Sequence, residues 1–352
     1  MPGTGCAEVA RADDLPAAAR ARLGTGLFRD LDWWRCVEHA ALPPGARPLY
    51  WVAGDGDAVL PLCRRADGRL TSLTTPYSCA FAPALAARTN GSPALASPTP
   101  GASLAIRAAP LAEACRRAGL VRLEALDPAE AETDALLAAC RGAGLLVLRF
   151  AQFGRWSECV AGSDWDTYLA ARPGKLRETI RRRLRAAGRG RTSLTLTDGP
   201  AGLAEAIAAY EHVYARSWKP AEPFPAFNPL LMRSLAPSGR LRLAVWRVDG
   251  VPAAAQFWVV EDGRALVLKL AHDEALKALS PGTVLTALMI RRFLTEERIG
   301  WLDFGRGDDP YKRGWAAERR QFEGALLLDP RRPAGWPLLA RHALGRLRAR
   351  WH

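Results

Sequence analysis

Residues 241–271 read LRLAVWRVDGVPAAAQFWVVEDGRALVLKLA, and this stretch decides the fold that the sequence predicts. Apolar, β-branched and aromatic residues form three runs in it. Asp249-Gly250 and Asp262-Gly263 separate the runs with residues that tight hairpin turns prefer. The stretch therefore predicts an antiparallel meander of three strands.

The residues after the meander predict a crossover back to the same sheet. A loop ends in Ser280-Pro281-Gly282, an apolar helix is predicted over Thr283–Leu294, and a strand over Ile299–Phe304. The second half of the chain thus has the order of three strands, a helix and a strand.

The first half repeats this order. Strands are predicted over Pro48–Ala53, Val59–Arg64 and Leu70–Thr75, followed by a helix over Leu104–Ala118, a strand over Leu120–Leu126, a helix over Pro128–Arg141 and a strand over Leu145–Phe150. Because both halves have one order of elements, the sequence predicts a duplicated α/β (α+β) unit, each copy a mostly antiparallel mixed sheet flanked by helices. Convergence on a common layout is the alternative. The predicted divisions are 1–150, 151–330 and a basic amphipathic tail, 331–352.

Composition and charge narrow the class of protein. The chain has 352 residues, of which 49% are hydrophobic and 24% charged, as in a folded soluble protein, and its formal net charge of +13 attracts anionic partners. It has no apolar run long enough to span a membrane, no pattern of an export signal at the N-terminus, and seven scattered cysteines without a CxxC pair. We expect a cytoplasmic protein without a disulfide framework or a metal site.

The densest group of polar residues is LDFGRGDDPYKRGW, residues 302–315. Asp303 alternates with apolar neighbours as in a half-buried strand, and two glycines then allow the chain to turn sharply. The polar side chains that we expect to crowd around this strand end are Asp303, Arg306, Asp308, Asp309, Tyr311 and Lys312. The corresponding strand of the first half ends without such a group, so the chemistry is expected in the second half.

Four landmarks together resemble the CelD-like acyltransferase branch of the GNAT superfamily, which is similar to the Fem-type aminoacyl transferases. They are the arginine-rich helix at Lys175–Arg185, the ARSWK segment at Ala215–Lys219, the loop Ser280–Gly282, and the stretch Leu302–Trp315. The resemblance implies two tandem GNAT-like domains, of which the first is degenerate. It also implies transfer of an acyl group, with acetyl as the expected group, from coenzyme A to an amine. The expected acceptor is a sugar or an envelope polysaccharide precursor. The glycine-rich pyrophosphate loop of ordinary GNAT enzymes is missing, because ALKALSPGTVL stands in its place.

The start of the predicted helix is the candidate site for the acyl-CoA co-substrate. A helix N-terminus binds phosphate through its unpaired N–H groups, and serine, proline and glycine suit its first turn. The candidate cofactor-binding residues are Ser280, Pro281, Gly282 and Thr283.

Transfer to an amine requires a base, stabilisation of a developing oxyanion and a proton for the departing thiolate. Asp303 is the predicted base, with Asp308 as its alternative. The resemblance implies that Tyr311 gives the proton to the thiolate and that Lys312 steadies the oxyanion or an acidic acceptor. The predicted residues of the acceptor side are Arg216, Trp218, Lys219, Arg306 and His272, the last also a second candidate base.

Two alternatives stay open at this stage. Leu176, Ile180 and Leu184 form an apolar stripe on the helix over Gly174–Gly188, and its other faces carry arginines that suit a polyanion or simple solvation. RNA therefore remains a possible partner, as for a Fem-type transferase that uses aminoacyl-tRNA. A non-catalytic protein that binds glycans or another partner is the second alternative. The basic tail from Trp336 to His352 suits an anionic membrane surface or packing on the domain.

Overall fold

The structure is a computed structural model and describes residues 5–21, 23, 26–54, 56–85, 100–333 and 336–337. Its chain divides into two compact units, one of residues 1–153 with 321–352 and the other of residues 154–320. The domain limits predicted from the sequence remain a prediction. Most of the predicted basic tail lies outside the described residues.

The first unit is a mixed sheet flanked by helices. Its strands in the described residues are β1 (Cys6–Val9), β2 (Arg47–Ala53), β3 (Ala58–Arg64), β4 (Leu70–Ser72), β5 (Leu120–Leu126), the first part of β6 (Leu146–Cys159) and most of β12 (Glu318–Leu328). Its helices are α1 (Ala17–Ala21), α2 (Leu31–Ala40), α3 (Pro100–Ala118) and α4 (Ala131–Gly142). Strands β1 to β4 are antiparallel neighbours, β5 runs parallel to β4, and β12 runs antiparallel to β5.

The second unit has the same arrangement. Its remaining strands are β7 (Thr192–Thr197), β8 (Leu241–Val248), β9 (Val251–Glu261), β10 (Arg264–His272) and β11 (Trp301–Arg306). Its helices are α5 (Trp165–Ala170), α6 (Gly174–Arg189), α7 (Leu203–Ala215), α8 (Phe227–Leu235), α9 (Pro281–Arg292) and α10 (Lys312–Trp315). Strands β7 to β10 are antiparallel neighbours, β11 runs parallel to β10, and the end of β6 runs antiparallel to β11.

The predicted fold class is confirmed. In each unit an antiparallel meander of three strands is followed by a crossover helix and a strand parallel to the last strand of the meander. The strand orders β1-β2-β3-β4-β5-β12 and β7-β8-β9-β10-β11-β6 match position by position. The shared order favours duplication over convergence.

The turns of the meander follow from their residues. Asp249 and Gly250 have φ angles of 51° and 81°, and Asp262 and Gly263 have φ angles of 46° and 69°. Positive φ at both central residues of a two-residue loop matches the right-handed twist of the flanking strands, which is why Asp-Gly suits these hairpins. The predicted meander is therefore correct for its stated physical reason.

Strand β9 forms the centre of the second unit and is buried along most of its length. Trp258 meets Phe293 edge to face, with 5.1 Å between ring centroids, on the side of α9. The run Ala253–Ala255 is fully buried, and its small side chains let helices pack closely on the strand. Helices α7 and α9 both contact β9. The sheet is therefore fixed in position by packing on its two faces.

Two features differ from the predictions. Strand β6 continues to Cys159, nine residues beyond the predicted end at Phe150, because its second part pairs with β11. Helix α9 begins at Pro281, and a π-helical turn over Phe293–Glu297 follows it. No helix among the described residues combines the length and the apolar composition that crossing a membrane requires.

Candidate active site

The parallel strands β10 and β11 separate at their carboxyl ends. They pair from Arg264 and Trp301 to Leu266 and Asp303, and there the pairing stops although both strands continue. The rest of β10 stays paired with β9, and the end of β11 stays paired with β6. Ligands of α/β sheets bind outside the carboxyl ends of parallel strands. The separation of β10 from β11 is therefore the candidate site.

Helix α9 begins beside the end of β10. Ser280 precedes the helix with left-handed backbone angles (φ 56°), and its side chain makes no capping hydrogen bond. Pro281 begins the first turn, whose N–H groups have no partner within a helix. A Cβ on Gly282 would lie 3.4 Å from His272 Nδ1 and 3.8 Å from Leu270 Cδ2. The start of α9 thus has the backbone groups of an anion site, although Ser280 does not cap it.

A buried relay of hydrogen bonds holds the first turn of α9, which also contains the half-buried Thr283. Thr286 Oγ1 donates to Gly282 O (2.8 Å), and Gln256 Nε2 donates to Thr286 Oγ1 (2.6 Å). Gln256 Oε1 accepts from Trp258 Nε1 (2.7 Å). Gln256 is fully buried, and a buried amide needs such partners. The relay fixes the carbonyl of Gly282 to β9.

His272 ends β10 and lies between the start of α9 and an exposed tryptophan. Its ring packs on Trp218 at a tilt of 40° with 4.4 Å between centroids, and its Nε2 lies 3.3 Å from Glu274 Oε1. Its Nδ1 is buried near Gly282 without a hydrogen-bond partner among the described residues. Burial lowers the pKa of His272 in spite of Glu274, so the imidazole is neutral near pH 7.

The segment Arg216–Lys219 is fastened to the end of β10. Arg216 Nε donates to Asp273 Oδ2 (2.5 Å), and the backbone N–H of Glu274 donates to Arg216 O (3.1 Å). Asp273 is buried, so its pairing with Arg216 is chiefly a structural contact. Trp218, which is 51% exposed, follows and covers His272. Of the predicted acceptor side, the structure therefore places Trp218, Lys219 and His272 together.

Lys219 carries no carboxylate partner at ion-pair distance among the described residues. Its Nζ lies 5.7 Å from the centroid of the Trp218 ring. Desolvation, and next the neighbouring charge of Lys269, lowers the pKa of Lys219 to about 8, while Asp309 and Glu222 act in the opposite direction. A substantial fraction of this amine is therefore neutral at mildly alkaline pH.

Lys269 and Glu222 form an ion pair on the face of β10 that carries α7. Lys269 Nζ lies 2.5 Å from Glu222 Oε1 and 5.9 Å from the centroid of the Tyr214 ring. Successive residues of a strand point to opposite faces of the sheet. Lys269 therefore points to the face covered by α7, whereas Leu270 points to the face that contacts the start of α9. This pair was not predicted from the sequence. The lysine inside the apolar strand VLKLA is the feature that indicates a polar contact at this position.

Contacts between its own residues fix the conformation of the loop after β11. Gly305 and Gly307 have φ angles of 66° and 103°, which confirms the predicted sharp turns. Lys312 is buried, and its Nζ donates to Arg306 O (2.6 Å) and Gly307 O (3.2 Å) and pairs with Asp309 Oδ2 (3.0 Å). These contacts occupy the ammonium of Lys312 with the loop itself.

The two candidate bases both accept hydrogen bonds from arginines. Asp303 is buried, with Oδ2 accepting from Arg155 Nε (2.8 Å) and Oδ1 from Gly305 N (2.8 Å). Asp308 accepts from Arg319 at both oxygens (2.6 and 2.7 Å) and from Trp156 Nε1 (3.0 Å). These bonds, those of Arg319 first, hold the pKa of Asp308 well below its usual range. The geometry gives both carboxylates a structural task, and their role as base stays a prediction.

Tyr311 stands at the start of α10 and is 41% exposed. Desolvation of its hydroxyl, and next the carboxylate of Asp309, raises the pKa of Tyr311, so the phenol keeps its proton at neutral pH. Tyr311 is therefore an un-ionised phenol, and its role as proton donor stays a prediction. Arg306 contributes its carbonyl to Lys312, and its guanidinium is half-buried.

Residues 174–313, from the start of α6 to α10, match the family described as Acetyltransferase (GNAT) domain. They contain β10, β11 and α9. Among curated proteins, none matches the chain.

Solved structures are similar to almost the whole chain at low identity. FemX is 11% identical, with 92% of this chain and 98% of that chain covered and a TM-score of 0.57. The C-terminal DUF2156 domain of a protein assigned as a lysylphosphatidylglycerol synthetase from Agrobacterium fabrum is 14% identical, with 95% and 96% covered and a TM-score of 0.56. L-PGS from Bacillus licheniformis is 12% identical, with 85% and 89% covered and a TM-score of 0.52. Identities this low show the fold alone. Residues 174–313 are therefore similar to an Acetyltransferase (GNAT) domain, and the solved structures are similar to the chain in fold.

Proposed function

We propose that the protein is an acyl-CoA-dependent N-acyltransferase, with acetyl as the acyl group and an amine of a sugar or envelope polysaccharide precursor as the acceptor. The observation that carries the proposal is the separation of β10 from β11 beside the uncapped start of α9, inside the residues that match the GNAT domain. Assignment to the CelD-like branch and a cytoplasmic location belong to the same proposal.

The start of α9 fits the phosphates of coenzyme A. Gly282 has no side chain to cover the first turn, Pro281 has no N–H to leave unpaired, and the relay from Gln256 keeps the turn in place. Thr283 completes the set of residues that would hold the co-substrate. When bound, the thioester supplies an activated carbonyl group. The missing glycine-rich loop is thus replaced by a plain helix N-terminus.

The residues beside the helix start supply proton transfer. An attacking ammonium must first lose a proton, and the neutral imidazole of His272 can take it directly or through water. Tyr311 keeps its proton and can give it to the departing thiolate. Trp218 and Lys219 form the wall on which the acceptor lies. Asp303 and Asp308 support the loop after β11, and each remains a candidate base to be tested.

A thermal-shift screen tests the donor. Coenzyme A, acetyl-CoA and thioesters of longer acyl chains are added in turn to the whole protein, because a ligand that binds only the folded state raises the melting temperature by mass action. We expect coenzyme A to raise it and acetyl-CoA to raise it as much or more. Release of free thiol from acetyl-CoA in the presence of an amino sugar such as glucosamine then tests transfer. No stabilisation by any CoA compound would overturn the proposal.

Helix α6 favours one alternative, an aminoacyl transferase that takes its acyl group from tRNA. Ile180 is buried and anchors the predicted apolar stripe. Five basic residues of the helix are exposed and form no ion pair with other described residues: Lys175, Arg181, Arg182, Arg185 and Arg189. Such a surface binds polyanions in a salt-dependent way. Tight binding of tRNA that weakens steeply between 50 and about 200 mM salt, without stabilisation by coenzyme A, would favour this alternative. A non-catalytic glycan-binding or partner-binding protein would show neither response.

A further inference from the structure

Lysine is rare in this chain and is concentrated around the candidate site. Of 49 lysines and arginines only five are lysines, and they are Lys175, Lys219, Lys269, Lys277 and Lys312. Arginine binds carboxylates and phosphates in two-pronged fashion and always stays charged, whereas lysine changes its pKa readily and can be acylated. A lysine kept at a site in an arginine-rich chain therefore indicates a task that needs an amine.

Two of the three lysines at the site are already engaged. Lys269 is paired with Glu222 at 2.5 Å. Lys312 is buried and bonded to two loop carbonyls and to Asp309. Lys219 has neither an ion pair nor a side-chain hydrogen bond with another described residue. Lys219 differs in this respect from Lys269 and Lys312.

Contacts of the preceding residues hold Lys219 beside the end of β10. The side chain of Arg216 pairs with Asp273, and Trp218 packs at a tilt on His272, whose Nδ1 lies beside Gly282 at the start of α9. From the other side, Asp309 and Lys312 of the loop after β11 act on the charge of Lys219. Lys219 therefore directly follows the tryptophan that covers His272 at the end of β10, and His272 lies beside the start of α9, where the donor is proposed to bind.

We propose that Lys219 accepts an acyl group from the bound acyl-CoA, so that the protein acylates its own chain at this amine. The inference rests on the proposed function. The neutral Nζ of Lys219 attacks the carbonyl carbon of the thioester, a C–N bond forms and the C–S bond breaks. Nitrogen loses one proton and the departing thiolate of coenzyme A gains one. The resulting amide is uncharged, which removes the repulsion between Lys219 and the ammonium groups of Lys269 and Lys312.

The ionisation of Lys219 supports this chemistry. Its pKa is lowered to about 8, so about half of the amine is neutral at pH 8. An exposed lysine with an ordinary pKa of about 10.4 is less than about 1% neutral at the same pH. Lys175 and Lys277 are exposed and provide internal references for non-enzymatic acylation of the same protein. Before any contribution from donor binding, the neutral fraction favours Lys219 by roughly a hundredfold.

Peptide mass mapping of the whole protein after incubation with acetyl-CoA at pH 8 tests the inference. We expect acetylation of Lys219 at least about tenfold faster than that of Lys175 or Lys277, a conservative part of the hundredfold advantage. Lys219→Arg keeps the charge and should abolish the modification, while Lys175→Arg is the matched control and should leave it unchanged. The melting temperature of each variant without ligand verifies that it is folded.

A second donor separates guided transfer from simple reactivity. A short acetyl thioester that lacks the nucleotide, at the same concentration as acetyl-CoA, should modify Lys219 far more slowly. Equal rates with both donors, or equal modification of all exposed lysines, would overturn the inference. Stabilisation by coenzyme A without acetylation of Lys219 would overturn this inference alone. A lack of stabilisation would overturn the proposed function as well.

Discussion

At the scale of single residues, Asp303 is the clearest test of the predicted chemistry. Its carboxylate is buried against Arg155, and removal of one partner from a buried ion pair leaves an uncompensated charge. We expect Asp303→Asn to lower the free energy of unfolding by about 3 kcal/mol, as measured by urea denaturation at pH 7.

The double variant Asp303→Asn with Arg155→Met is the control for this prediction, because it removes both charges and should recover part of the lost stability. The opposite result is equally informative. If Asp303→Asn unfolds like the wild type but lowers turnover by about 10²- to 10⁴-fold, the carboxylate is the base.

The pH dependence of stability tests the environment of Lys219. Its pKa in the folded protein is about 8, below the value of about 10.4 in the unfolded chain. Between these values the unfolded state binds more protons, so this group makes the folded protein more stable as the pH rises. The charges that act on it are Lys269 on β10, Glu222 after α7, and Asp309 and Lys312 after β11.

Lys219→Met removes this titration while keeping most of the side chain. We expect the difference in melting temperature between variant and wild type to shift in favour of the wild type as the pH rises from about 7 to about 9.5. Differential scanning fluorimetry across this range is the measurement. If the melting temperatures of the variant and the wild type change in parallel with pH, Lys219 titrates like an exposed lysine.

At the scale of elements, the start of α9 is tested at Gly282. A Cβ there would lie 3.4 Å from His272 Nδ1, which alanine tolerates and a longer side chain does not. We expect Gly282→Ala to fold with about 0.5–1 kcal/mol of added helix stability and to keep binding coenzyme A. Gly282→Leu should displace His272 and weaken the binding of coenzyme A at least about tenfold, which is about 1.4 kcal/mol by titration calorimetry. Equal binding by the two variants would place the donor elsewhere.

Element boundaries were predictable only where the local sequence carries the signal. The Asp-Gly turns and the strand Leu120–Leu126 follow from residues within a few positions of one another. The second part of β6 contains Gly154, Arg155 and Glu158, whose polarity hides a strand that is stabilised by pairing with β11. Strand β12 begins with the polar residues Glu318–Gln321 and was missed for the same reason.

At the scale of the whole molecule, the C-terminal strand belongs to the first unit. Residues 321–352 group with residues 1–153, and β12 pairs with β5 from Glu323 to Leu328. Loss of β12 would expose the edge of β5 and the ring of Phe153, on which Phe322 stacks. A chain that ends at residue 320 should therefore lose the cooperative unfolding of its first unit.

A chain that ends at residue 333 is the matched control, because it keeps the whole of β12. Fluorescence of Trp33, Trp34 and Trp51, which are buried in the first unit, follows the transition in urea. Replacing these three tryptophans by phenylalanine, one at a time, identifies their part of the fluorescence signal among that of the other tryptophans. An unchanged transition after truncation at residue 320 would show that β12 contributes little to the first unit.

The class of fold and the order of elements in both halves follow from local patterns in the sequence. Turn residues, the period of apolar side chains and the helix over Gly174–Gly188 are local patterns, and the free energies behind them act between neighbours in the chain. The same patterns located the start of α9 and the loop after β11, because glycine, proline and serine have local conformational preferences.

Which polar residues come into contact depends on the folded chain. Asp303 and Arg155 are 148 residues apart in sequence, and Lys269 and Glu222 are 47 apart. Nothing local distinguishes a carboxylate that accepts from a buried arginine from one that is free to act as a base. The lowered pKa of Lys219 likewise results from desolvation and from the positive charges of Lys269 and Lys312, which belong to other segments of the chain. Burial and long-range charge are properties of packed neighbours, and packing exists only once the sheet has formed.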